Sequence, residues 1–241
     1  MIKNPKQWHC RLGLYIFFCG VLLGMFFATL LTWADLEAYL FNPPIDPQTL
    51  NLRSLRCPIL LNGDKTGVVS ATFPNPADRE RRRTVDSFIS QGSVLLTEEE
   101  RERFDLEPGE ERTLRWTISR ENAAWGRFIF VHIRVQRNTP LPARAGSCGV
   151  LVTNLPYGTG TQIIIVMVGV SLLLMVGGAA LWLAGICQRR QLRMVDYLTL
   201  AVAPITLVAM IFSMLGIWLV SGLLLLLTLL LIVSIMTWAL S

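Results

Sequence analysis

Two solvent regimes alternate along this chain. Residues 12–34, 155–188 and 197–241 contain no Asp, Glu, Lys or Arg. Each stretch is long enough to cross a ~30 Å hydrocarbon core, which takes about 20 helical residues. The last one holds 45 residues, and as a single helix it would run roughly 68 Å at ~1.5 Å per residue, about twice what a bilayer accepts. The pattern therefore predicts a hairpin of two spans. The turn is expected near 214–222, where Gly216, Trp218, Ser221 and Gly222 cluster; a bent helix with a re-entrant piece is the alternative. Trp218 and Trp238 suit interfacial aromatic belts.

Between the first and second apolar stretches the period changes from helical to two. The lead-in at 42–47 (NPPIDP) has three prolines, which fix φ and remove donors, so it reads as a stiff connector. Beyond it, short β-rich runs alternate with turn residues: 67–73 (GVVSATF), 112–119 (RTLRWTIS), 127–136 (RFIFVHIRVQ) and 148–153 (CGVLVT). In the second run Leu114, Trp116 and Ile118 share a face. In the third, Ile129, Val131, Ile133 and Val135 face one way and Phe128, Phe130, His132 and Arg134 the other. This alternation predicts an antiparallel sandwich or small barrel. The Pro108-Gly109 turn leading into the Trp116 strand resembles the turn-strand pattern of immunoglobulin-like and fibronectin-like sandwich domains, which implies a fold class and no activity. The expected architecture is an α+β membrane protein: four transmembrane helices with an extracytoplasmic antiparallel β-sandwich inserted between helices 1 and 2. Its parts are a tail at 1–11, helix 1 at 12–34, the β-domain at 35–156, helix 2 at 157–187, a basic loop at 188–196 and helices 3 and 4 at 197–240.

Composition sharpens the class. Of 241 residues, 52% are hydrophobic and 16% charged, against about 25% charged in soluble domains, and mean hydropathy is +0.48. A cytosolic enzyme, a secreted protein and a nucleic-acid-binding domain are all excluded on this balance. The net charge of +5 is uneven. Lys3, Lys6 and Arg11 precede the first span, and Arg189, Arg190 and Arg193, opposed only by Asp196, lie between the second and third. The middle segment carries 16 basic and 16 acidic residues. Short basic loops stay cytoplasmic, so both termini are expected inside and residues 35–156 outside, in a plasma membrane of bacterial inner-membrane type. A retained first span is expected rather than a cleaved signal peptide, because 23 apolar residues exceed the usual h-region of about 7–15.

Of five cysteines, Cys10, Cys19 and Cys187 lie in or beside spans. Cys57 and Cys148 are the two in the outer segment, where an oxidising compartment favours a disulfide.

Candidate chemistry is sparse. His9 and His132 have no ligand-spaced partner, so no intrinsic metal or cofactor is expected; lipid or pigment supplied by a complex stays open. Gly158-Thr159-Gly160 precedes a helix but lacks the lysine and βαβ context of a phosphate loop. Ser147-Cys148-Gly149 has a reactive order, but its cysteine is better used in a disulfide. The charge-mixed run Glu98-Glu99-Glu100-Arg101-Glu102-Arg103 reads as a solvated loop or helical turn. Arg79, Arg81, Arg82 and Arg83 form the densest basic cluster, a candidate contact for a partner or anionic headgroups and otherwise a solvated loop. No Asn-x-Ser/Thr acceptor occurs.

Within the spans, small residues stand out. Gly20 and Gly24 form a GxxxG face, and Gly177, Gly178 and Gly185 allow close helix approach. Pro204 predicts a kink, and 223–231 predicts a lipid- or partner-facing surface. The layout resembles claudin-like tetraspans in outline, without the Gly-Leu-Trp and paired-cysteine signature of their first loop. The expected function is a non-catalytic accessory, scaffold or assembly subunit, with membrane lipids and other membrane subunits as partners and no nucleic acid. A membrane-anchored sensor or ligand-binding receptor is the alternative, and a lipid-acting enzyme comes third.

Overall fold

The computed structural model describes residues 5–41, 48–92, 96–137, 142–156, 158–186 and 194–240. The chain divides into two compact units, Met1–Thr32 with Gln162–Ser241, and Trp33–Thr161.

Four helices, α1 (Pro5–Phe41), α2 (Gly160–Ile186), α3 (Met194–Met214) and α4 (Trp218–Leu240), are long and apolar enough to cross a membrane. Between α3 and α4 the chain turns at 215–217. Gly216 takes φ +71° there, and its N–H returns to Ser213 O at 3.2 Å, a left-handed stop at a helix C-terminus. α1 overruns the expected end at Ala34 by two turns, because residues 35–41 contain no helix breaker. The expected Pro-rich connector at 42–47 lies outside the described residues.

In the helical unit, α1 and α2 meet along matched positions with spacings of four, three and four: Gly13, Phe17, Gly20 and Gly24 against Ser171, Met175, Gly178 and Trp182. A Cβ on Gly13 would sit 2.5 Å from Trp182 N, one on Gly20 2.7 Å from Met175 N, and one on Gly24 2.8 Å from Ser171 Oγ. Close backbone approach lets Ser171 Oγ donate to Gly20 O at 2.9 Å. Phe17, Val21 and Met175 are buried here in one cluster with Val202 of α3. Ser221 Oγ of α4 donates to Ala209 O of α3 at 3.0 Å and lies 2.8 Å from Thr32 Oγ1 of α1.

The second unit is a two-sheet sandwich. One sheet has the order β1 (Leu50–Asn51), β8 (Arg144–Thr153), β7 (Phe128–Val135), β4 (Arg81–Gln91), β5 (Leu96–Leu106), with β2 (Leu60–Asn62) also on β8. The other is the pair β3 (Gly67–Pro74) and β6 (Glu111–Ile118). Val69, Ala71, Leu114, Trp116 and Ile118 from the small sheet pack on Val85, Ile89, Phe104, Ile129, Val131, Ile133 and Val150 from the large one.

Three features depart from expectation. β1 and β2 pair with β8 in parallel, so the sandwich is mixed rather than purely antiparallel. Residues 98–103 are not a loop or helical turn but the middle of β5, an edge strand whose eleven residues all pair with β4. β4 itself carries polar and charged residues at positions where period two demanded apolar ones, so its pattern did not announce a strand.

Candidate functional site

The chemistry of the β-unit gathers on the face of the large sheet that points away from β3 and β6. Strand register puts Asp86 beside Arg134, Phe88 beside His132, and His132 beside Ser147. The final residues of α1, which belong to this unit, cover part of that face. Asp35 Oδ1 accepts from Gly149 N at 3.0 Å. A Cβ on Gly149 would collide with the Ala34 carbonyl, so only glycine lets the helix lie this low. Ala38 is buried with Ala124 and Phe130, and Phe41 packs beside them. This coverage buries Phe130 on the second face of β7, where His132 is buried as well. A pocket of about 270 Å³ opens here, lined by Glu37, Leu40, Phe41, Thr97 and Phe130. It offers one carboxylate and one hydroxyl among apolar walls.

Further along the same face lies a buried charge hub. Asp86 is fully buried and accepts from Arg101 Nε at 2.6 Å, Gln136 Nε2 at 2.9 Å and an Arg134 guanidinium nitrogen at 3.3 Å. Burial pushes its carboxyl up, but the hydrogen bonds and charges of Arg101, Gln136 and Arg134 win and hold it below the usual carboxylate range. Arg134 also lies 5.3 Å over the Phe88 ring, a cation–π contact. The hub ties β5, β4 and β7 across three strands and keeps its charge at neutral pH.

His132 does the opposite. Burial, then the Arg134 charge, pushes its pKa from 6.5 down to about 4, and its Nδ1 is buried with no hydrogen-bond partner among the described residues. The unfolded chain therefore takes up the proton first. This group's contribution is full above pH 6.5 and is lost as pH falls toward 4. Acidifying from pH 7 to 5 is expected to remove about 2 kcal/mol of sandwich stability. In His132→Phe that slope flattens. Chemical denaturation at pH 7, 6 and 5 checks it, and equal slopes in both proteins would refute the assignment.

The cysteine expectation is met: Cys57 and Cys148 form a disulfide, with Cα atoms 6.5 Å apart and a sequence separation of 91. β1 pairs at 144–145 and β2 at 151–153 of β8, so the bridge at 148 fills the gap between two very short parallel ladders. Cys19 is free and exposed. His132 joins no metal-ligand set, and among the described residues no three His, Cys, Asp or Glu side chains converge.

The glycine expectations divide. Gly20, Gly24 and Gly178 lie in tight contacts, Gly178 against the Phe17 backbone, and Gly13 joins them although its spacing did not single it out. Gly177 lies outside this seam: a Cβ there would meet nothing within 4 Å, because it sits one position, about 100°, from Gly178. The side chain position of Gly185 lies outside the described residues. So do Lys3, Arg189, Arg190, Arg193 and the side chain of Lys6, while Arg11 is exposed on α1.

The arginine cluster is not a uniform loop either. Arg81, Arg82 and Arg83 open β4. Arg82 pairs with Asp105 at 2.9 Å. Arg83 is only 9% exposed, donates to Pro74 O at 3.4 Å, and is held below its ordinary pKa by burial, Arg144 and Arg81. Arg79 remains exposed, on a loop organised by buried Asn75, whose amide donates to Arg79 O, Leu106 O and Glu107 O, each at 2.9 Å. Gly158-Thr159-Gly160 is anchored rather than loose: Asn62 Nδ2 donates to Gly158 O at 3.0 Å, and a Cβ on Gly160 would collide with Leu60 O.

One residue had no sequence signal. Trp125 takes φ +52° and Gly126 φ +67°, and Arg127 N returns to Ala124 O at 3.1 Å. This is the type I′ arrangement, in which Asn-Gly is favoured. A tryptophan at its first position costs about 1–2 kcal/mol of backbone strain. The ring is 51% exposed and sits edge-on to Phe130 at 5.9 Å.

No protein-family model matches the chain, and comparison with curated proteins finds no match. Among solved structures, the CARDB domain of the PF1109 protein from Pyrococcus furiosus, in complex with di-metal ions, is 13% identical with a TM-score of 0.32, covering 42% of this chain and 90% of that one. A β-glucosidase from Listeria innocua is 16% identical with a TM-score of 0.30, covering 41% of this chain and 15% of that one. An alkylpurine DNA glycosylase, AlkC, from Pseudomonas fluorescens is 19% identical with a TM-score of 0.30, covering 41% and 29%. At these TM-scores the likenesses carry no argument about activity, and the sandwich assignment stands on strand pairing alone.

Proposed function

We propose that this chain is an integral membrane protein with four spans, both termini in the cytoplasm and the disulfide-bonded sandwich on the far side of a plasma membrane of bacterial inner-membrane type. It acts as a non-catalytic accessory or assembly subunit whose outer module and helix faces bind partner proteins and lipid. The charge asymmetry supports the orientation, and the disulfide supports an oxidising outer compartment.

The free edge of β5 carries the partner reading. Among the described residues this eleven-residue strand pairs only with β4, so its other side offers a row of backbone donors and acceptors for strand addition. Glu98, Glu99, Glu100, Arg101 and Arg103 place exposed charge along that edge, with Glu102 half-buried among them. Such charge resists self-pairing and selects a complementary partner. Purification from native membranes in mild detergent is expected to give a stoichiometric complex by native mass, and Glu99→Lys with Glu102→Lys is expected to release the partner without unfolding the sandwich. A lone monomer from native membranes would sink the reading.

The pocket beside Glu37 supports a second reading, a membrane-anchored receptor for a small amphiphile. Native mass spectrometry separates the two, since a receptor retains a small molecule and an assembly subunit a polypeptide. A lipid-acting enzyme ranks below both, and lipid or pigment brought by a complex would contact the leucine-rich α4 surface.

A further inference from the structure

We propose that Trp125 and its turn are an interfacial anchor, inserting into the headgroup layer of the bilayer that α1 leaves. The inference rests on the membrane reading above and adds to it a second attachment point, made by the β-unit itself.

Four observations converge on this tip. The fold does not ask for tryptophan here: a type I′ turn favours Asn or Gly at that position, so the strain is kept for something other than folding. The indole is half exposed and braced on Phe130 at 5.9 Å, which presents its ring rather than burying it. The position fits as well. Ala124, the preceding residue, shares a buried cluster with Ala38, four residues or about 6 Å of helix rise beyond Ala34, the last residue of the uncharged run. Headgroup layers extend roughly 5–7 Å beyond the hydrocarbon on each side, so the turn lies at that depth. Finally, Trp33 and Leu40 are exposed on the same helix end, and Arg127, exposed at the far side of the turn, offers a cation to lipid phosphate. Indole with an adjacent cation is the pairing that bilayer interfaces select.

The test uses the full chain reconstituted in phosphatidylcholine vesicles, with acyl chains either unmodified or brominated at carbons 6 and 7. The emission contributed by Trp125 is the difference between wild type and Trp125→Phe. Trp125→Asn, which suits the turn, replaces the Phe variant if that one misfolds. The difference emission is expected to fall more than twofold in brominated vesicles. Trp238→Phe provides the same subtraction for a residue at the end of α4. If the Trp238 component is quenched and the Trp125 component is not, the anchor is overturned while the membrane reading survives. If neither is quenched, both fall.

Discussion

Replacing Cys57 and Cys148 with serine is expected to lower the unfolding midpoint of the β-sandwich by roughly 15–20 °C. The bridge closes a loop of 91 residues, and removing it returns about 4–5 kcal/mol of chain entropy to the unfolded state; in a domain of this size each kcal/mol moves the midpoint by several degrees. The loss is local as well as global. β1 and β2 contribute only two and three residues to their parallel ladders, too few to hold the 50–62 segment on β8 unaided. Hydrogen exchange should therefore show residues 50–62 opening first in the serine variant, while β4 and β7 stay protected. Thermal unfolding of the intact protein followed by Trp116 emission, with and without reductant, measures the shift. A midpoint within 3 °C of wild type would contradict it.

Asp86→Ala is expected to cost about 3–4 kcal/mol. Breaking a buried pair strands its partners, and such losses run to about 3–5 kcal/mol. Here the lower part of that range applies, because Arg101 and Arg134 keep 44% and 34% side-chain exposure and can turn their charge toward water. Asp86→Asn keeps the shape and some of the hydrogen bonding, so it should fall between wild type and alanine. The alanine loss should also resist salt, since the carboxylate is fully buried and screening reaches mainly exposed pairs. Urea titration at low and high ionic strength reads both points. A loss under 1 kcal/mol would mean the hub contributes nothing net to the fold.

These two sites differ in how far sequence could reveal them. Cys57 and Cys148 were legible because compartment and count left one pairing among the outer cysteines. The helices were legible because length and charge absence are strong constraints in a bilayer. β6 and the inner face of β7 were legible from alternation. Asp86 was invisible, since its partners Arg101 and Arg134 are 15 and 48 residues away and only the β5–β4–β7 register brings them together. β5 was misread for a related reason: on a solvent edge charges sit on both faces, and the period-two signal vanishes. Arg83 looked like surface within a basic run, yet its place opposite Phe104 at the sandwich rim buries it. The Gly13–Gly178 contact and the Gly149 notch are tertiary, and no local pattern carries them.

The pairing of β1 and β2 with β8 alone also dictates an order of events during synthesis. The sandwich's earliest segment has its partner in its latest strand, so residues 50–62 emerge and wait while some 80 residues follow. The hairpin of β4 and β5 and the long-range pair of β3 and β6 can close during that interval. The sheet is completed, and the cystine sealed, only once β8 has been made. Oxidation is then the final step in closing the domain.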